Sequence, residues 1–255
     1  MKIKEVIEFL DEKFPLGLQE DWDNSGLQIG NVENELKNIM ISLDLTDEAI
    51  DSAIESSCNL IINHHPLIFS PIKSIDLSSD YNKKIEKLIK NDISVFVMHT
   101  NLDTAEGGVN DNFAKVLKLD KVEFLDTENE HPMARLGFTK EQSSQEFAEF
   151  VKEKLACKGL IVYGDKEKII KKVALCGGAG SDFIGDAIKK NCDAIVTSDV
   201  KYHEAIDNSK DIVIIDPGHF ASENHIIYML ENLLKDKFLI EIYTNSPDDS
   251  HRFFK

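Results

Sequence analysis

Two stretches of this chain, 134 residues apart, follow one plan, and that repetition limits the fold more than any other feature. Residues 39–65 read IMISLDLTDEAIDSAIESSCNLIINHH, and residues 173–199 read VALCGGAGSDFIGDAIKKNCDAIVTSD. Each runs apolar segment, turn, amphipathic segment, Cys or Asn-Cys, apolar segment. Laid side by side without a gap, Ile50 meets Ile184, Ala53 meets Ala187, Cys58 meets Cys192 and Ile61 meets Ile195. A further apolar run follows in each, ISVFVMHTNLD at 93–103 and DIVIIDPGHF at 211–220. A unit that repeats strand, helix, strand, strand must bury both faces of a sheet, which dictates an α/β fold with largely parallel pairing.

The rest of the chain fits that scheme. Short apolar runs predict strands over 38–43, 59–63, 93–98, 160–163, 172–176, 193–197 and 211–215. Apolar residues at helical spacing predict helices over 2–13, 47–57, 81–91, 107–118, 144–156, 181–191 and 222–235. The polar stretch 126–131 suits a junction, so the expected domains are 1–125 and 126–255, two α/β halves of similar topology. Hydrophobic residues make up 42% of the 255, enough for a sizeable core in each half.

Charge and composition exclude some functions. The formal net charge is −17, and only Arg135 and Arg252 are arginines, so broad nucleic-acid binding is disfavoured by the long-range field. No apolar run approaches the roughly 18 residues that span a bilayer, and the N-terminus lacks the apolar stretch of a signal peptide. The four cysteines form no CxxC pair and read as reduced thiols of a cytoplasmic protein.

Candidate chemistry gathers at predicted strand ends, where α/β sheets place their ligand sites. His64 and His65 follow the run Leu60-Ile61-Ile62, and Pro66 ends the strand there. Adjacent side chains of a strand point to opposite faces, so two neighbouring histidines reach one site only where the strand stops. Asp103 closes the third strand of the first half. It reads as a ligand or as the N-cap of the helix over 107–118. In the matching place of the second half stand His219 and Glu223, four apart and on one face of a helical turn. Three histidines and two carboxylates exceed what one tetrahedral ion with an open position needs, and suit two divalent ions that share a carboxylate. Mixed imidazole and carboxylate donors accept Zn, Mn or Fe alike.

His99, among apolar neighbours, reads as a group that supports the ligands or moves protons. Asp199 and His203 read either as an acid/base pair or as surface polar residues. The turn Gly177-Gly178-Ala179-Gly180 reads as a phosphate cradle or, preferably, as a tight turn, since it lacks a Walker lysine. Cys176 reads as a buried thiol rather than a nucleophile. Trp22, in a turn rich in Asp and Asn, reads as a core residue.

Six ordered motifs, DWDNSGLQIG, INHHPLIF, HTNLD with GGVND, CGGAGS, SDVKYHEA and GHFASE, give nearly the whole chain a resemblance to the Nif-three-like dinuclear metal-centre family, the GTP cyclohydrolase I type 2 homologues. The resemblance implies a two-domain α/β fold with a dinuclear site in the cleft between the halves. It implies His64, His65, Asp103, His219 and Glu223 as ligands, with Glu223 shared by both ions. It further implies a homohexamer whose sites face an internal cavity, and hydrolysis of a small molecule, GTP, by metal-activated water, with His203 or His99 moving protons. The rival expectations are an oligomeric scaffold with structural ions and a dinuclear hydrolase of phosphoesters or amides. The segment HPMARLG at 131–137, Ser198 before Asp199, and the ending Ser246-Pro247-Asp248-Asp249 depart from the family pattern. They bear on substrate choice rather than on the ligands.

Overall fold

A computed structural model describes residues 1–125 and 132–245. The expected junction at 126–131 and the ending at 246–249 lie outside the described residues.

In chain order the elements are α1 (Ile3–Lys13), β1 (Gly26–Ile29), β2 (Ile39–Ser42), α2 (Asp47–Glu55), β3 (Leu60–Asn63), α3 (Asp80–Lys90), β4 (Ser94–Val97) and α4 (Thr100–Thr104). Then come α5 (Val109–Val116), β5 (Asp120–Phe124), β6 (Arg135–Ser143), α6 (Ser144–Lys154), β7 (Ile161–Tyr163), β8 (Ile169–Leu175), α7 (Ile184–Lys189), β9 (Ala194–Val196), α8 (Tyr202–Asn208), β10 (Val213–Asp216) and α9 (His219–Glu223). The described chain closes with α10 (His225–Lys237) and β11 (Ile242–Asn245).

The chain divides into two compact units. One holds Met1–Ala105 together with the chain from Ile227 through β11; the other holds Glu106–Ile226. The expected division at 125 does not coincide with this one. Strand β5 pairs with β6 and so joins the second unit before residue 125, while β11 returns to pair with β2 in the first.

The first unit is a five-stranded sheet in the order β1-β4-β3-β2-β11, and the second a six-stranded sheet in the order β5-β6-β8-β9-β10-β7. The repeat is visible in their registers. Ile39 pairs with Leu60 in parallel, and Val173 pairs with Ala194 in parallel, the same 21-residue step. Both units then add a parallel third strand, β4 on β3 and β10 on β9, and an antiparallel strand beyond it, β1 and β7. The α/β duplication is therefore real at the level of strand pairing. In the first sheet every pairing is parallel except that of the marginal strand β1, and β11 adds in parallel to β2. In the second sheet the repeat strands pair in parallel and the added strands β5, β6 and β7 are antiparallel, so the expectation of largely parallel pairing holds for the first unit and for the repeat strands of the second.

The central strands are apolar because both faces are covered. Every residue of β2, β3 and β4 is buried, as expected for parallel strands with helices on each side. Met40, Ile61 and Val95 meet Ile50, Ala53 and Leu88 of α2 and α3. In the second unit the faces separate by alternation: Val173, Leu175, Val196 and Val213 pack on one side, and Ala174, Cys176, Ile195 and Ile214 on the other. Each fully buried aliphatic side chain contributes about 1.5–3 kcal/mol. Side chains cap two of the helix starts: the Thr46 hydroxyl accepts from the Ala49 amide, and Ser143 with Glu146 forms a capping box.

Strands β1, β5, β6 and β11 and helices α4 and α8 are absent from the sequence-based expectations. Among the described residues no helix is long and apolar enough to cross a membrane.

Candidate functional site

In the first unit, three histidines cluster where β3 and β4 end. Beyond Asn63 the backbone still bonds to the neighbouring strand, His64 N–H to the Ser42 carbonyl and His65 N–H to the Leu43 carbonyl. The Asn63 side chain accepts from the Ser42 hydroxyl and donates to the His65 carbonyl, which turns the chain at its end. Strand alternation lapses there, and the rings of His64 and His65 lie 5.0 Å apart by centroid. His99, just past β4, lies 5.4 Å from His64 and 5.8 Å from His65. Asp103 stands in α4, with its Oδ1 3.6 Å from His64 Nε2. It is not the cap of the following helix, because Gly108 holds that place.

Each of these imidazoles is anchored through Nδ1. His64 Nδ1 lies 2.7 Å from the Met98 carbonyl, His65 Nδ1 2.8 Å from Asp44 Oδ1, and His99 Nδ1 2.7 Å from Asp23 Oδ1. An acceptor at Nδ1 selects the tautomer with the proton there and leaves the lone pair on Nε2, the arrangement typical of metal-bound histidine. The Asp23 carboxylate is buried, and burial alone would raise its pKa. Hydrogen bonds from His99, Thr100 and the Asn24 amide outweigh that and hold the carboxyl well below the usual carboxylate range.

The second unit carries a parallel construction. Gly218, at φ +88°, starts α9, and His219 and Glu223 stand on one face of that single turn. His219 Nδ1 lies 2.6 Å from Asp199 Oδ2, while Nε2 lies 3.1 Å from Glu223 Oε2. The Glu223 carboxylate is buried, and the glycine turn makes room for it. A Cβ built on Gly178 would fall 2.2 Å from Glu223 Oε1. The turn is not a phosphate cradle. Its amides are spent inside the unit, Gly177 on Asn110 Oδ1, Gly178 on Ser222 Oγ and Gly180 on Thr197 Oγ1. Cys176 is buried, as expected of a structural thiol.

These donors fit divalent metal. Ligands held about 2.1 Å from one ion lie roughly 3.0–3.4 Å from one another in octahedral or tetrahedral shells. Of the two Nε2-to-carboxylate spacings, 3.1 Å at His219 and Glu223 lies inside that range and 3.6 Å at His64 and Asp103 lies just above it. A cation placed between such atoms would be stabilised by both.

Asp199 is exposed, as the surface-polar reading expects, and it also has a partner in the site. It positions His219 and occupies the repeat place of His65, in a left-handed conformation at φ +56°. His203 lies exposed on α8, its ring against Tyr202. Trp22 is not a core residue, being 59% exposed. Asp44 and Asp23 carry no local sequence signal. A strand-end Asp that matches a glycine in the other repeat is the one hint for Asp44.

Comparison with known proteins agrees with the fold. The model of the Duf34/NIF3 (NGG1p interacting factor 3) family matches residues 1–248. A protein of Clostridium perfringens named GTP cyclohydrolase 1 type 2 homolog is 36% identical over 242 residues, covering 93% of this chain and 92% of its own. Two crystal structures cover all of this chain and 99% of theirs: a hypothetical protein of Staphylococcus aureus, with 27% identity and a TM-score of 0.92, and a Bacillus cereus protein related to NIF3, with 26% identity and a TM-score of 0.91. The chain belongs to the Duf34/NIF3 family.

Proposed function

We propose that this chain is a metal-dependent hydrolase that holds two divalent ions, Zn, Mn or Fe, on His64, His65 and Asp103 from the first unit and His219 and Glu223 from the second, with Glu223 shared. The observation that carries the reading is the matched construction of the two units. In each, an imidazole fixed through Nδ1 sets its Nε2 beside a buried carboxylate. Nothing in folding alone calls for that arrangement twice.

Bound ions of this kind supply Lewis acidity and lower the pKa of water to near 7. The chain's own groups do the rest. Asp44 and Asp199 orient His65 and His219. His99, fixed by Asp23, offers Nε2 as a proton carrier beside the ligands, and His203 is a second candidate carrier from the second unit.

Relatives named GTP cyclohydrolase 1 type 2 homolog support GTP as the substrate. Water would add at C8 of guanine, the imidazole ring would open, and a second water would release C8 as formate. We further propose a homohexamer with its sites on an internal cavity, in the cytoplasm; the four free cysteines suit a reducing compartment.

The test is formate release and the absorbance change of ring opening when metal-reconstituted protein meets GTP. The reading predicts turnover that falls below about pH 7. Release no greater than in a metal-stripped control would contradict it.

A further inference from the structure

Beside the histidines of the first unit stand two large aromatic side chains that the fold does not use. Trp22 is 59% exposed and Phe69 50% exposed, although indole and phenyl rings are the side chains that gain most from burial. Their ring centroids are 5.9 Å apart at 51°, too tilted to stack on each other. Trp22 lies 6.2 Å from His99, which itself lies within 6 Å of His64 and His65.

This exposure is built in. Residue 23 follows Trp22 directly, and its carboxylate is wholly buried. Asp23 accepts from the Thr100 amide and hydroxyl, from the Ser25 hydroxyl and from the Asn24 amide, besides its contact with His99. The turn that carries Trp22 is thus tied to the start of α4 and to His99. Phe69 is held by the same segment. The neighbouring Ile68 amide donates to Gln28 Oε1, and the Ile68 carbonyl accepts from Asn24 Nδ2 and Gln28 Nε2. One network therefore ties the segments that carry both rings to His99.

We propose that Trp22 and Phe69 form a stacking platform that binds the planar heteroaromatic ring of the substrate beside His99. The proposal deepens the hydrolase reading and rests on its placement of the reaction at the histidine cluster. It narrows the substrate class. A ring must be present, and its face rather than a phosphate is what the first unit recognises. Stacking of a base on an exposed aromatic is sequence-tolerant and strong enough to set affinity. The platform therefore predicts that any purine competes, with the groups around the ring deciding which one reacts.

Trp22 is the only tryptophan, so indole fluorescence, excited where tyrosine does not absorb, reports on the platform. Metal-loaded protein is titrated with GTP, guanosine and tripolyphosphate. The platform predicts saturable quenching by GTP and guanosine and none by tripolyphosphate. By calorimetry, Trp22→Ala should weaken GTP binding roughly tenfold to a hundredfold, while Trp22→Phe stays within a few-fold of wild type and both keep their metal. Since the ring is exposed, neither change threatens the fold. Wild-type affinity in Trp22→Ala, equal quenching by tripolyphosphate, or an emission that no probe alters, as for an indole covered by a second copy, would each overturn the platform. Turnover with wild-type KM in Trp22→Ala would remove the platform and keep the hydrolase. Saturable quenching without formate release would keep the platform and remove the cyclohydrolase.

Discussion

Replacing Gly178 by alanine puts a methyl group where the Glu223 carboxylate now lies. The added Cβ would stand 2.2 Å from Glu223 Oε1, 3.2 Å from its Cδ and 3.3 Å from His219 Cε1. Ordinary contact is near 3.4 Å, so the carboxylate must retreat by more than about 1 Å. The fold absorbs this, because the obstructing atom is the end of a side chain and not backbone. The residue also has φ +63°, and the left-handed conformation costs alanine roughly 1–2 kcal/mol. A melting temperature a few degrees lower is the expected stability effect. A coordination bond tolerates only about 0.2 Å of error, so the effect on metal should be much larger. We expect affinity for zinc to fall roughly 100-fold or more, beyond the 10–100-fold that loss of a supporting hydrogen bond produces. Competition against a chelating dye measures the affinity, and circular dichroism the fold. Wild-type zinc affinity in a folded Gly178→Ala protein would refute the role of Glu223 as a ligand.

Asp199→Asn should leave the fold intact and lower metal affinity roughly 10–100-fold by releasing the His219 tautomer; an unchanged chelator competition curve would count against it. Asp23→Asn should destabilise the protein by about 2 kcal/mol at pH 7 in urea unfolding, since it disturbs a buried charged acceptor. The pH dependence has a fixed sign. The Asp23 pKa is depressed in the folded state, so its contribution is complete above the unfolded value near 4 and is lost as pH falls below it. The difference between wild type and mutant should therefore narrow in acid, and a difference that widens there would oppose the assignment.

Much of the fold was legible because the repeat carries it. The strands over 39–42, 60–63 and 94–97, and their counterparts in the second unit, are buried on both faces and so read as unbroken apolar runs. Strand β5 escaped because four of its five residues are exposed, and its sequence, DKVEF, has no apolar stripe. Strand β6 turns polar after Phe138 as its pairing with β8 shifts register, and β11 shows only one buried residue. The expected helix from 222 divides at Asn224 into α9 and α10.

The strand-end placement of His64 and His65 followed from Pro66, and the shared face of His219 and Glu223 from their spacing. The carboxylates that anchor the imidazoles were not legible, because pairs such as Asp23 with His99 join residues 76 apart. Trp22 misled for a related reason. Its composition as a residue says core, and only the tertiary fixing of Asp23 shows that the ring faces outward. The glycine turn at 177–180 carried two readings that local sequence cannot separate, and the spent amides together with the space needed by Glu223 decided for a packing role.

The central claim, that the ligands of the two units together hold two ions, is tested most directly by metal stoichiometry. Protein purified without chelator, reconstituted with zinc or manganese and freed of excess ion should carry close to two ions per chain by elemental analysis. Both should be loosened together by Glu223→Gln, and mainly one by His64→Ala. A stoichiometry that stays below one after reconstitution would contradict the dinuclear account.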